Sequence, residues 1–175
     1  LHPLAVEAMR EKEYPGSEIV IEETLESGTN YQRYIASYQS EGLKIYGLFT
    51  VPNGTEPEGG FPAIVFLHGY LNPEAYVTTE RYVAYQAAFA RSGYVTFKPD
   101  LRGHGRSEGE AVAANFSDAY VTDALNAAAS LAKYPDVNGE KLGMWGHSMG
   151  GGITLRAMVV SDEIKAGVIW AGVVG

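Results

Sequence analysis

Lys141-Leu142-Gly143-Met144-Trp145-Gly146-His147-Ser148-Met149-Gly150-Gly151-Gly152 reads as a short strand, a glycine-flanked serine and the opening of a helix. The strand covers Lys141 to Trp145, and helical sequence runs from Met149 to Val160. A serine hydroxyl attacks carbonyls poorly unless its oxygen is exposed, a base takes its proton and donors face the resulting oxyanion. The Gly-x-Ser-x-Gly spacing meets the first need. Ser148 stands on a strained strand-to-helix turn, and Gly146 and Gly150 let the flanking backbones approach closely. Gly151 and Gly152 leave the helix start uncrowded, where free amides favour developing negative charge. The alternative, a glycine-rich turn with an incidental serine, would not require a strand before it and a helix after it.

Working upstream, Ala63 to Leu67 is a continuous apolar run, as expected of a strand buried on both faces. His68-Gly69-Tyr70 follows it and is the natural oxyanion loop. The expected donors are the Met149 amide, directly after the nucleophile, and the Tyr70 amide. Loss of one such donor typically costs about 2.7–4 kcal/mol of transition-state stabilisation. A helix is expected from Thr79 to Arg91, closed by Gly93. Tyr94 to Phe97 is the next strand, ending at Pro99-Asp100. Ser117 can cap a second helix in which Tyr120, Ala124, Ala127 and Leu131 share a face, and Pro135 ends it. Ala166 to Ala171 is another wholly apolar strand. Alternating strands and helices imply right-handed crossovers and a parallel sheet, hence an α/β fold.

The N-terminal part has a different rhythm. Residues 1–17 read as a surface arm or short helix, and residues 18–175 as the N-terminal part of one α/β domain. Glu18 to Leu25, Tyr31 to Ser37 and Leu43 to Val51 look like strands. Turn-rich Ser27-Gly28-Thr29-Asn30 and Ser40-Glu41-Gly42 separate them, which predicts an antiparallel meander. No internal repeat or low-complexity tract interrupts the pattern.

Composition narrows the classes. A net charge of −8 and the lack of a basic stretch argue against nucleic acid as a partner. The absence of cysteine excludes disulfides, thiolate catalysis and cysteine-based zinc sites. No apolar run approaches the roughly 18 residues of a membrane span, so no membrane partner is expected. The compartment stays open between the cytoplasm and secretion after signal removal.

Three motifs in this order and spacing, Phe66-Leu67-His68-Gly69-Tyr70, Asp100-Leu101-Arg102-Gly103-His104-Gly105-Arg106-Ser107 and Gly146-His147-Ser148-Met149-Gly150-Gly151, resemble the α/β-hydrolase superfamily. From Leu43 to Gly172 the chain is most similar to the prolyl-oligopeptidase, dienelactone-hydrolase and feruloyl-esterase-like branch. The resemblance implies a mostly parallel sheet with antiparallel N-terminal strands, and a chain that stops just past the sixth of eight strands. It gives His68 and Gly69 the task of shaping the oxyanion loop. It makes Asp100 and His104 structural members of a loop that braces that side of the cleft. His147 should point away from the cleft, while Asp118 and Asp123 are expected to be helix-start carboxylates and nothing more.

Such a hydrolase orders its triad as Ser, then Asp or Glu, then His. No histidine follows Ser148, and His2 lies in the arm. The triad acid and base are therefore expected beyond Gly175, in a longer protein of which this is a portion. The expected activity is hydrolysis of carboxylic esters, with peptides or amides as the other option, through an acyl-enzyme on Ser148. It requires no metal or organic cofactor. The 175-residue piece alone should be nearly inactive. The competing expectation is a non-catalytic half-domain that associates through its open sheet edge. Either way, an apolar terminal strand should be paired. The partner would be a complementary C-terminal segment, or the same Ala166–Ala171 strand of a second copy in a homodimer.

Overall fold

In a computed structural model, which describes residues 2–114 and 117–173, the alternating N-terminal stretches form β1 (Val20–Thr24), β2 (Tyr31–Ser40) and β3 (Leu43–Pro52). The outer limits of the two segments read from the sequence, Leu1 and Gly175, lie outside the described residues. β1 pairs antiparallel with β2, and β2 with β3, which is the expected meander. Four strands follow: β4 (Phe61–Leu67), β5 (Val95–Pro99), β6 (Val137–His147) and β7 (Ala166–Trp170). The sheet order is β1-β2-β3-β5-β4-β6-β7, and the β5-β4-β6-β7 pairs are parallel. The protein is thus an α/β fold with an antiparallel N-terminal edge. Counted from β2, the strand β7 is the sixth, and β1 is an additional edge strand.

The helices α2 (Val83–Arg91), α3 (Ala119–Ala132) and α4 (Met149–Val160) sandwich this sheet. On β4, Ala63, Val65 and Leu67 join the main core with α3 and α4, while Ile64 and Phe66 pack with Trp145 and Phe89 on the α2 side. Both faces of β4 are therefore apolar, and this is why its sequence shows no alternation. The N-terminal segment contains one short helix, α1 (Val6–Arg10), anchored through buried Met9 and through Arg10, whose guanidinium donates to the Val159 carbonyl at 2.6 Å.

Two boundaries differ most from expectation, by four residues each. α2 begins at Val83 rather than Thr79, because Arg81 and Tyr82 take left-handed backbone (φ 53° and 55°) and break the helical path. β6 starts at Val137, four residues before the expected Lys141, its first turn of sequence disguised by polar Asn138 and exposed Glu140. Ser117 contributes at the start of α3, accepting from the Ala119 amide at 3.1 Å. Among the described residues no helix is long and apolar enough to cross a membrane.

Every residue of β7 is exposed. Its inner edge pairs with β6, and Val168, Ile169 and Trp170 remain 48%, 40% and 44% exposed. An apolar groove of about 430 Å³, lined by Ile64, Phe89, Tyr94, Trp145 and Val168 among others, lies beside this strand on the α2 face.

Candidate active site

The backbone of Ser148 has φ 53° and ψ −116°, a conformation that residues other than glycine rarely adopt. Neighbouring contacts hold it there. The Ser148 amide donates to the Trp170 carbonyl at the end of β7, and its carbonyl accepts from the Gly151, Gly152 and Val173 amides. The flanking glycines are required by space. A Cβ on Gly146 would stand 2.0 Å from the Gly150 carbonyl oxygen. A Cβ on Gly150 would stand 2.1 Å from the Leu67 carbonyl oxygen and 2.7 Å from that of His68. Gly150 thus brings the elbow against the root of the 68–70 loop, backbone to backbone.

The loop meets the elbow again at Gly69, where an added Cβ would lie 3.3 Å from Ser148 Cβ. Gly69 is held on both sides. Its amide donates to the Tyr82 hydroxyl at 3.1 Å, and its carbonyl lies 2.7 Å from His68 Nδ1. The other ring nitrogen of His68 is 3.4 Å from the Asp100 carbonyl. Both partners are acceptors and a neutral imidazole has one N–H, so the shorter contact places the proton on Nδ1. Because the peptide unit is planar and trans, a fixed Gly69 carbonyl also fixes the opposed N–H of Tyr70. That amide and the Met149 amide, at the first position of α4, donate to no protein acceptor among the described residues. The Tyr70 side chain itself is 76% exposed.

His68 is buried, and burial lowers its pKa to about 4. It therefore stays neutral at ordinary pH and serves the loop's geometry. His104 packs edge-on against His68 and Tyr120, with Nδ1 3.1 Å from the Arg102 carbonyl. His2 accepts from the Leu4 amide. His147 turns to the α2 side of the sheet end. Its Nδ1 lies 2.7 Å from the Tyr82 hydroxyl, and its ring packs against Trp170. The reason is β-strand alternation: on β6, His147 shares the α2-side face with Trp145. All four histidines are thus engaged elsewhere than at Ser148 Oγ.

Asp100 is wholly buried, with Oδ2 accepting from the Thr78 hydroxyl at 2.6 Å. Burial pushes its pKa up to about 6. Asp118 pairs with Lys12 of the arm. Asp123 is more than a helix-start carboxylate. Fully buried in α3, it receives the Arg102 guanidinium at 2.7 Å, the Arg102 amide at 3.0 Å and the Ser40 hydroxyl at 2.7 Å. It ties down the 100–107 loop that flanks the site. Sequence spacing concealed this role, since its partner lies on another element.

A family model described as "Serine aminopeptidase, S33" matches residues 61–174. The chain belongs to this family of α/β-hydrolases. An uncharacterised peptidase, YtmA, of Bacillus subtilis (strain 168) is 30% identical over 141 residues, covering 80% of this chain and 51% of that protein. A probable dipeptidyl-aminopeptidase B of Fusarium vanettenii is 32% identical over 122 residues, covering 67% of this chain and 13% of that one. The solved acetyl xylan esterase of Paenibacillus sp. R4 superimposes with a TM-score of 0.69 at 19% identity, covering 94% of this chain and 56% of that one. The chain therefore spans about half the length, or less, of these relatives.

Proposed function

We propose that the protein containing this chain is a serine hydrolase of carboxylic esters, with peptides or amides as the other substrate class, working through an acyl-enzyme. The observation that carries this reading is Ser148 itself: a non-glycine residue at φ 53° between β6 and α4, with the oxyanion loop packed against it. Ser148 Oγ would attack the carbonyl carbon and lose its proton to a base, while the carbonyl oxygen becomes an oxyanion facing the Tyr70 and Met149 amides. Collapse would expel the leaving alcohol and leave an acyl-serine, which water then hydrolyses. Because the four histidines have other partners, the base and its acid would come from residues beyond Gly175. Small esters are favoured by relatives that are esterases, and peptides by those named as peptidases.

The full-length protein should be labelled by a fluorophosphonate probe and turn over a short-chain aryl ester. Ser148→Ala should abolish labelling and lower turnover by about 10⁶-fold. The 175-residue chain alone should hydrolyse the same ester near background. An unlabelled, inactive full-length protein would favour the second reading, a module that associates through β7, for which the wholly exposed apolar strand is the observation.

A further inference from the structure

Tyr82 belongs to none of the three motifs, yet its hydroxyl lies between the two backbone segments that build the proposed site. It accepts from the Gly69 amide at 3.1 Å and lies 2.7 Å from His147 Nδ1, next to the nucleophile in sequence. Its ring packs edge-on against Trp145, with centroids 5.9 Å apart. We propose that Tyr82 is a positioning residue of the hydrolase site, whose hydroxyl locks the oxyanion loop to the elbow so that the Tyr70 and Met149 amides converge on one oxyanion. This rests on the serine-hydrolase reading of Ser148.

The backbone around Tyr82 is built to present that hydroxyl. Arg81 and Tyr82 both adopt positive φ, which delays α2 until Val83 and turns the Tyr82 ring toward the sheet end. Such conformations persist only where the surroundings over-determine them. Here a buried lysine does so: Lys98 Nζ donates to the carbonyls of Thr78, Glu80 and Arg81 at 2.9, 2.7 and 3.2 Å. An ammonium is seldom buried without carboxylate contact, and three carbonyls satisfy its three donors in full. The Tyr82 carbonyl is used as well, accepting from the Gln86 amide in the first turn of α2. Lys98 therefore fixes the segment, the segment fixes Tyr82, and Tyr82 fixes Gly69. His68 holds the opposite side of the same glycine, so two side chains together set the peptide whose N–H faces the substrate.

The test is Tyr82→Phe in the full-length protein, which keeps the ring and removes only the hydroxyl. Misplacing one oxyanion donor should lower kcat by about 10- to 100-fold and leave KM within about threefold, because the lost interaction belongs to the transition state. Fluorophosphonate labelling should slow in parallel. Amide hydrogen exchange at Gly69 should accelerate, while the amides of β5 and of the middle of α2 keep their protection. A kcat within twofold of wild type, a loss confined to KM, or unchanged exchange at Gly69 would each overturn the proposal. An unreactive wild-type protein would instead overturn the serine-hydrolase reading, and the exchange measurement needs no turnover to separate the two.

Discussion

At Gly69 and its neighbours, single side chains fix how the peptide to Tyr70 is oriented, and the buried titratable groups Asp100 and His68 lie beside them. Asp100 is an acid whose pKa burial raises from 3.8 to about 6, so it binds its proton more tightly when folded. Its contribution to stability therefore falls as pH rises between about 4 and 6. His68, lowered from 6.5 to about 4 by burial, binds its proton less tightly when folded, and its contribution rises over nearly the same interval. The two slopes oppose each other, each at most about 1.4 kcal/mol per pH unit. Asp100→Asn should remove the falling slope and leave the rising one of His68, to which His104, also lowered by burial, adds. Urea midpoints of that variant should climb from pH 4 to 6.5 more steeply than those of the wild type. At this scale Ser148 and its glycines were readable in the sequence, because an elbow is a local event of five residues. Tyr82 was not, since its partners lie 13 and 65 residues away and helical spacing absorbed it into the stretch from Thr79 to Arg91.

Among the elements, α3 carries the most consequential polar contact. Asp123 sits on its buried face and receives the backbone and guanidinium of Arg102 together with the Ser40 hydroxyl. Asp123→Ala would strand a mostly buried guanidinium, and removing one partner of such a pair costs about 3–5 kcal/mol. Urea unfolding should show that loss, whereas Glu41→Ala, on the exposed side of the same arginine, should change stability by less than about 1 kcal/mol. Element existence was legible wherever burial is uniform. β4 reads as apolar throughout because both its faces are covered, and α4 begins where glycine and serine place it. Boundaries were obscured where tertiary contacts overrule local pattern: the Lys98 carbonyl cradle delays α2, and β6 reaches back through polar residues that lie at the sheet's rim.

At the scale of the whole 175-residue chain, β7 has a bare edge and an apolar face among the described residues, features that protein chains normally cover or blunt. The 175-residue chain produced alone should therefore self-associate in a concentration-dependent way in sedimentation velocity. Val168→Lys, which puts a charge on the 48% exposed centre of that strand, should shift it toward monomer. A wild-type chain that stays monomeric at high concentration would count against association through this edge. The fold class was readable at this scale, since the strand and helix rhythm fixes a parallel sheet. The strand order has a further consequence for synthesis. β4 has neighbours on both sides, and both are made later than it is: β5 roughly thirty residues on, and β6 roughly eighty. At about 5–20 residues per second, β6 arrives only some 4–16 s after β4 has been made. During that wait the most uniformly apolar strand of the chain stays open along one side on the ribosome, and the two backbone segments that flank the serine come together only after it closes.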